Sequence, residues 1–212
     1  MPAPAQPAPL GFEHVFEPGS DGRTLLLLHG TGGDEHDLLP FGRRLAHSSA
    51  LLSPRGQVLE AGMPRFFRRH AVGQLDIPDL LSRTDDLARF IREAVTAYGL
   101  DPDRVVALGF SNGANIAVSL LLRHPDLLRA AALLRPTLPY EPDGPLSLTG
   151  TDVLIAAGEG DPFSSAESTR RLAEILDAAG AEVTPHREPG AGHNLGPGDL
   201  RALTDWLTRL VG

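Results

Sequence analysis

The sequence predicts an α/β domain: a mostly parallel sheet with helices on both faces. Three observations carry this. Apolar runs of strand length alternate along the chain with longer segments of helical periodicity, the pattern of repeated strand–helix–strand crossovers. Runs such as residues 24–28 (TLLLL) and 105–110 (VVALGF) are continuous rather than alternating, as expected of strands covered on both sides. The chain has 212 residues, 42% of them hydrophobic, which suffices for one substantial core, and it shows neither an internal repeat nor a second apolar block. Residues 1–10 read as a Pro/Ala-rich arm of extended polyproline type, and 11–212 as a single domain.

In chain order, residues 12–16 suit a short edge strand, and Pro18-Gly19-Ser20-Asp21-Gly22 is a turn. Residues 24–28 form a strand that ends in His29-Gly30-Thr31-Gly32-Gly33. A helix follows over 37–47, with Pro40 near its true start. Residues 50–53 make a short strand. Residues 54–79 read as a long loop, and a loop of that length inside a domain is usually functional. Residues 82–98 are helical, since Leu87, Phe90, Ile91, Ala94 and Val95 recur at spacings of three and four. Residues 105–110 are the central strand and 112–123 its helix. Strands at 130–134, 153–157 and 182–187 follow, with helices at 165–179 and 200–211.

Composition narrows the function. There are 27 acidic against 19 basic residues, a formal net charge of −8, which opposes a nucleic-acid or anionic-membrane partner. No cysteine is present, which excludes disulfides, thiolate zinc sites and a cysteine nucleophile and fits a cytoplasmic protein. The N-terminus lacks the charged start and apolar core of a signal peptide, and no run of about 20 apolar residues would span a membrane.

Gly109-Phe110-Ser111-Asn112-Gly113 is a G-x-S-x-G motif set between a strand and a helix. That setting presents Ser111 at the tip of a sharp turn and leaves the Asn112 backbone N–H free to meet a developing oxyanion. A serine hydroxyl needs a base, and the base needs an orienting acid. Strand–turn–helix nucleophiles of this kind take their partners in the order Ser, acid, His, from loops at the carboxyl ends of the strands. His193, in the loop after the last strand, and Asp161, after the 153–157 strand, satisfy both conditions, with Glu159 as the reserve acid. His186 lies within a strand and reads as structural; His124, before Pro125, reads as a cap on helix carbonyls; Asp85 and Asp86 read as solvated helix surface. His29 reads as a buried structural residue. The backbone N–H of Thr31 is the expected second oxyanion donor, and Gly30, Gly32 and Gly33 let backbone approach a substrate closely. Arg65 could meet a substrate carboxylate or phosphate, with Phe66 beside it at the pocket mouth, whereas Arg68 and Arg69 read as solvated or paired with the acidic surface. This chemistry needs no metal and no organic cofactor.

These motifs, together with LHGTGGDE at 28–35, LSPRG at 52–56, MPRFFRR at 63–69 and GHNL at 192–195, resemble the α/β-hydrolase superfamily. Within it the chain resembles the phospholipase/carboxylesterase group, and there the MhqD-like carboxylesterases, over most of its length after about residue 10. The resemblance implies a seven-stranded α/β-hydrolase core without a large cap domain and supports Ser111, Asp161 and His193 as the triad. Gly32, Glu35, Arg65 and Phe66 are the candidate substrate-binding residues. It implies a serine carboxylesterase acting on a small ester or thioester, with thioesterase or lysophospholipase-like activity within the same chemistry. Acyl-protein thioesterases of the group typically carry glutamine after the nucleophile; Asn112 here puts that specificity in doubt. A cofactor-free perhydrolase and a silent binding protein on the same scaffold are the alternatives, and a homodimer stays open. Without a lid, short soluble esters are expected to turn over better than long-chain lipid.

Overall fold

The computed structural model describes residues 10–210. In order, its elements are β1 (His14–Glu17), β2 (Thr24–Leu28), α1 (Leu39–Leu45), β3 (Ala50–Pro54), β4 (Val58–Glu60), β5 (Met63–Arg65), β6 (Arg69–Ala71), β7 (Gln74–Leu75), α2 (Ile77–Tyr98), β8 (Val105–Phe110), α3 (Asn112–Arg123), β9 (Ala130–Leu134), β10 (Asp152–Gly158), α4 (Ala166–Ala178), β11 (Glu182–Glu188) and α5 (Pro197–Arg209). Seven strands form one sheet in the order β1-β3-β2-β8-β9-β10-β11. β1 runs antiparallel to β3, and every other pair in this sheet is parallel. This is the expected mostly parallel sheet.

The strand pleat sends successive side chains to opposite faces. Leu26 and Leu28 of β2 join one core with Leu87 and Ile91 of α2, Ile116 of α3 and Leu172 of α4. Leu25 and Leu27 join the opposite core with Leu39 of α1 and Leu203 and Trp206 of α5. Helices on both faces explain why the central strands are apolar throughout rather than alternating.

β2, β8, α3 and β9 span the residues expected of them. Helix α2 starts at Ile77, five residues before its apolar periodicity becomes evident. The Asp76 carboxylate caps it by accepting from the Asp79 N–H at 3.1 Å, and Pro78 sits in the first turn, where its missing N–H costs nothing. Helix α5 likewise begins early, at Pro197. The stretch read as a loop over 54–79 holds two small hairpins, β4–β5 and β6–β7. The first turns through Ala61 and Gly62, both at positive φ, as a two-residue hairpin turn requires. Strands of two or three residues are too short to show an alternating pattern in sequence.

His124 does not cap carbonyls with its ring: Nε2 meets Asp85 at 2.9 Å. Asp85 also accepts two hydrogen bonds from Arg123, which hold its carboxyl below the usual range, so it is a pairing residue rather than a merely solvated one. The N-terminal arm lies outside the described residues but for Leu10, as do the last two positions expected in or after the closing helix. Among the described residues no helix is long and apolar enough to cross a membrane.

Candidate active site

Ser111 occupies the single residue between β8 and α3, at φ +53° and ψ −110°. That conformation costs on the order of 1–3 kcal/mol and persists only where the surroundings over-determine it. Two contacts do so here. A Cβ on Gly109 would lie 2.5 Å from the Gly113 carbonyl oxygen, and one on Gly113 would lie 2.0 Å from that of Leu28. Only glycine lets the strand and helix cross this closely. The Ser111 N–H donates to the Leu134 carbonyl of β9 at 2.8 Å, which leaves the hydroxyl free to project.

His193 Nε2 lies 2.8 Å from the Ser111 Oγ. The opposite ring nitrogen, Nδ1, lies 2.9 Å from Asp161 Oδ2 and 3.1 Å from Oδ1. Asp161 follows β10 with its side chain fully buried, and Oδ1 also accepts the Phe163 N–H at 2.8 Å. A carboxylate can only accept, so Nδ1 carries the proton and the Nε2 lone pair faces the hydroxyl. Phe110 and Phe163 wall the imidazole, with ring centroids at 5.4 and 5.0 Å. Glu159 points elsewhere and accepts the Gly190 N–H at 3.0 Å, anchoring the loop.

Asn112 opens α3, so its backbone N–H has no intrahelical acceptor. Thr31 and Asn112 line the same cavity as Ser111 and His193. The Asn112 side chain turns away from that role. Its Oδ1 accepts the Phe66 N–H at 2.7 Å, and Nδ2 is buried without an acceptor among the described residues.

The cavity measures about 740 Å³ and is walled by Leu75, Leu138 and Phe163 on apolar stretches and by Arg65 and Arg69 on a charged one. Arg65 is buried; Nη1 donates to Thr31 Oγ1 at 2.6 Å and Nε to the Phe67 carbonyl at 3.1 Å. Arg69 holds Glu60 through Nε at 3.0 Å, and Arg65 Nε stands 3.4 Å from the same carboxylate. The hydrogen bond from Arg69 keeps the Glu60 carboxyl below its ordinary range. Burial, with repulsion from Arg69, lowers the Arg65 guanidinium below its ordinary value. Two cations share one carboxylate, so this wall carries net positive charge.

The sequence pattern of the phospholipase/carboxylesterase family matches residues 13–211. The chain belongs to this family. It is 42% identical to MhqD of Bacillus subtilis over 200 residues, covering 94% of this chain and all of that one. A carboxylesterase from Bacillus cereus superposes with a TM-score of 0.90 at 44% identity, covering 94% of each chain. YahD, solved with malic acid, superposes with a TM-score of 0.88 at 28% identity, over 93% of this chain and 98% of that one.

This family member brings Ser111, Asp161 and His193 together and sets Thr31, Asn112 and Arg65 on the cavity. Three residues expected at the substrate are elsewhere. Glu35 is buried in an ion pair with Arg55, whose hydrogen bonds hold its carboxyl below the usual range. Phe66 is 2% exposed and packs in the core, its ring 4.7 Å from His29. Gly32 is tied by its N–H to the Pro64 carbonyl at 3.0 Å and does not line the cavity. His29 is a structural residue, as expected: Nδ1 meets the Gly30 carbonyl at 2.7 Å and Nε2 accepts the Gly56 N–H at 2.9 Å. His186 pairs with Glu188 at 3.1 Å. Arg68 faces Asp79 at the surface. Arg69 pairs with an acid as expected yet also lines the cavity. Phe163 and Asn115 line it unannounced; the position of Phe163 two residues after Asp161 was the available signal.

Proposed function

We propose that this chain is a serine carboxylesterase working through an acyl-enzyme. The observation that carries the reading is the continuous contact from Asp161 through His193 to Ser111, with the imidazole protonated on the acid side. In this reading His193 Nε2 takes the Ser111 proton as Oγ attacks the ester carbonyl. The N–H groups of Thr31 and Asn112 stabilise the oxyanion, and the N-terminus of α3 adds a favourable dipole. His193 returns the proton to the leaving alkoxide. Water, deprotonated by the same nitrogen, then releases the acid and restores Ser111. Asp161 keeps the ring in the productive tautomer and stabilises the imidazolium.

The preferred substrates are short esters that carry a carboxylate or phosphate. Two features favour this: the cationic wall of Arg65 and Arg69, and a cavity sized for a small molecule. Malic acid in YahD, a dicarboxylate, points to the same chemistry. The test is hydrolysis of p-nitrophenyl esters from acetate to palmitate, with Ser111→Ala alongside and a fluorophosphonate probe on both proteins. Turnover and labelling that vanish together in the variant would support the reading. Parent protein that neither turns over any ester nor takes up the probe would sink it and favour the silent scaffold.

A further inference from the structure

Arg135 and Asp199 form an ion pair whose side chains are 0% and 1% exposed. All five guanidinium N–H groups are engaged. Nε donates to the Gly192 carbonyl at 3.1 Å. Nη1 donates to the Ala156 carbonyl at 3.1 Å and to Asp199 Oδ1 at 2.9 Å. Nη2 donates to the Asn194 carbonyl at 2.7 Å and to Asp199 Oδ2 at 2.5 Å. A pair this deep is a poor route to stability, because desolvating two ions offsets most of their attraction and a well-packed apolar pair often does as well.

Its geometry suggests a different role. Gly192 and Asn194 flank His193, so one rigid planar group grips the carbonyls on both sides of the histidine. Asp199 also accepts the Gly196 N–H at 2.7 Å and so ties down the end of the same loop. The backbone of Arg135 completes the connection. Its own N–H donates to the Ala156 carbonyl of β10, the strand that delivers Asp161, at 2.8 Å. The preceding carbonyl, that of Leu134, receives the Ser111 N–H. Arg135 adopts φ +58°, a left-handed conformation that non-glycine residues rarely take, and turns there off the end of β9 toward the loop.

We propose that Arg135, oriented by Asp199, is the positioning residue for His193, holding the imidazole in register with both Ser111 and Asp161. The proposal rests on the reading of His193 as general base. It predicts an effect on the chemical step rather than on substrate binding, since neither residue lines the cavity. A displacement of about 1 Å at such a base costs up to about a hundredfold in rate.

The test compares Arg135→Lys, Asp199→Asn and His193→Ala with the parent, using p-nitrophenyl acetate and the rate of fluorophosphonate labelling of Ser111. Lysine has three donors on a single nitrogen in place of the five of the planar fork, so it cannot make all five of these bonds. Arg135→Lys is expected to lower kcat and the labelling rate together by about 10- to 100-fold, with KM within about twofold of the parent. Asp199→Asn, which keeps the arginine and its carbonyl bonds, should fall between parent and Arg135→Lys. It carries the test if the lysine variant does not fold. Folded variants with parental kcat and labelling rate, or with a loss confined to KM, would overturn the proposal while an inactive His193→Ala left the triad reading intact. An active His193→Ala would overturn both.

Discussion

Ser111 Oγ and His193 Nε2 stand 2.8 Å apart, and the same imidazole meets Asp161 through its other nitrogen at 2.9 Å. The acid therefore decides which nitrogen is free. Asp161→Asn tests this. An amide NH₂ facing Nδ1 favours the opposite tautomer, with the ring proton pointed at the serine. The expected loss in kcat is about 10⁴-fold, the size seen when a triad acid of this type becomes an amide, with KM changed little. Steady-state kinetics on p-nitrophenyl acetate measures it; a variant keeping a tenth of parental kcat would remove Asp161 from this role.

Arg65 touches Thr31, an expected oxyanion donor, and shares Glu60 with Arg69. Its removal should therefore change more than charge. The diagnostic quantity is the ratio of kcat/KM for a succinate monoester over a neutral butyrate ester. A charge-assisted contact is worth about 1.5–3 kcal/mol, so the ratio should fall about tenfold to a hundredfold in Arg65→Ala. An unchanged ratio, whatever the loss in absolute rate, would mean that Arg65 supports the Thr31 loop without selecting substrates.

Gly113 crosses β2 with no room for a methyl group. Gly113→Ala must move either the Leu28 backbone or the nucleophile turn, and the expected cost is about 3 kcal/mol or more. Gly144→Ala is the control, since nothing lies within 4 Å of its added Cβ, and should stay within about 0.5 kcal/mol of the parent. Urea unfolding midpoints decide; similar midpoints for the two variants would show that the crossing can relax.

Glu35 lies under the surface against Arg55, which also reaches Glu13 at 2.9 Å. Glu35→Gln should weaken this pair and cost about 1–2 kcal/mol in urea unfolding, limited by the partial exposure of Arg55. KM for a neutral ester should stay at the parental value. A raised KM would return Glu35 to the substrate.

The contact of Ser111, His193 and Asp161 was legible because its constraints are local or ordered along the chain. G-x-S-x-G announces a turn, and chain order with strand ends selects Asp161 and His193 from many acids and eight histidines. The pocket walls were less legible. Arg65, Phe66 and Glu35 look alike in sequence as polar or aromatic residues in glycine-rich loops. Which one faces the cavity depends on two hairpins whose strands are two or three residues long. Phe66 turns inward and Arg65 toward Thr31 because β5 pairs with β4 in one register, a tertiary fact. Arg135 left a fainter trace, a lone charge after the buried run of β9 and before a proline. Its five acceptors come from separate segments that only the fold assembles.

His29 connects the Gly30-Thr31 loop to the Arg55-Gly56 segment, and it does so as a neutral ring. Nδ1–H donates to the Gly30 carbonyl, and Nε2 must keep its lone pair for the Gly56 N–H. Burial also lowers its pKa, opposed by the Gly30 carbonyl and more distant acids. Above the unfolded-state value of about 6.5 both folded and unfolded chains hold the ring neutral, so its full contribution is present. As pH falls below about 6.5, the unfolded chain binds a proton that the folded one resists, and stability declines until the lower folded pKa is reached. Between pH 7.5 and 5.5 this one residue should therefore lower the stability of the folded chain. Gln in its place can still accept from Gly56 but cannot titrate. The difference in unfolding free energy between the two pH values should therefore be smaller in His29→Gln than in the parent. Equal differences in the two proteins would mean that the loop opens readily enough for His29 to take up its proton in the folded state.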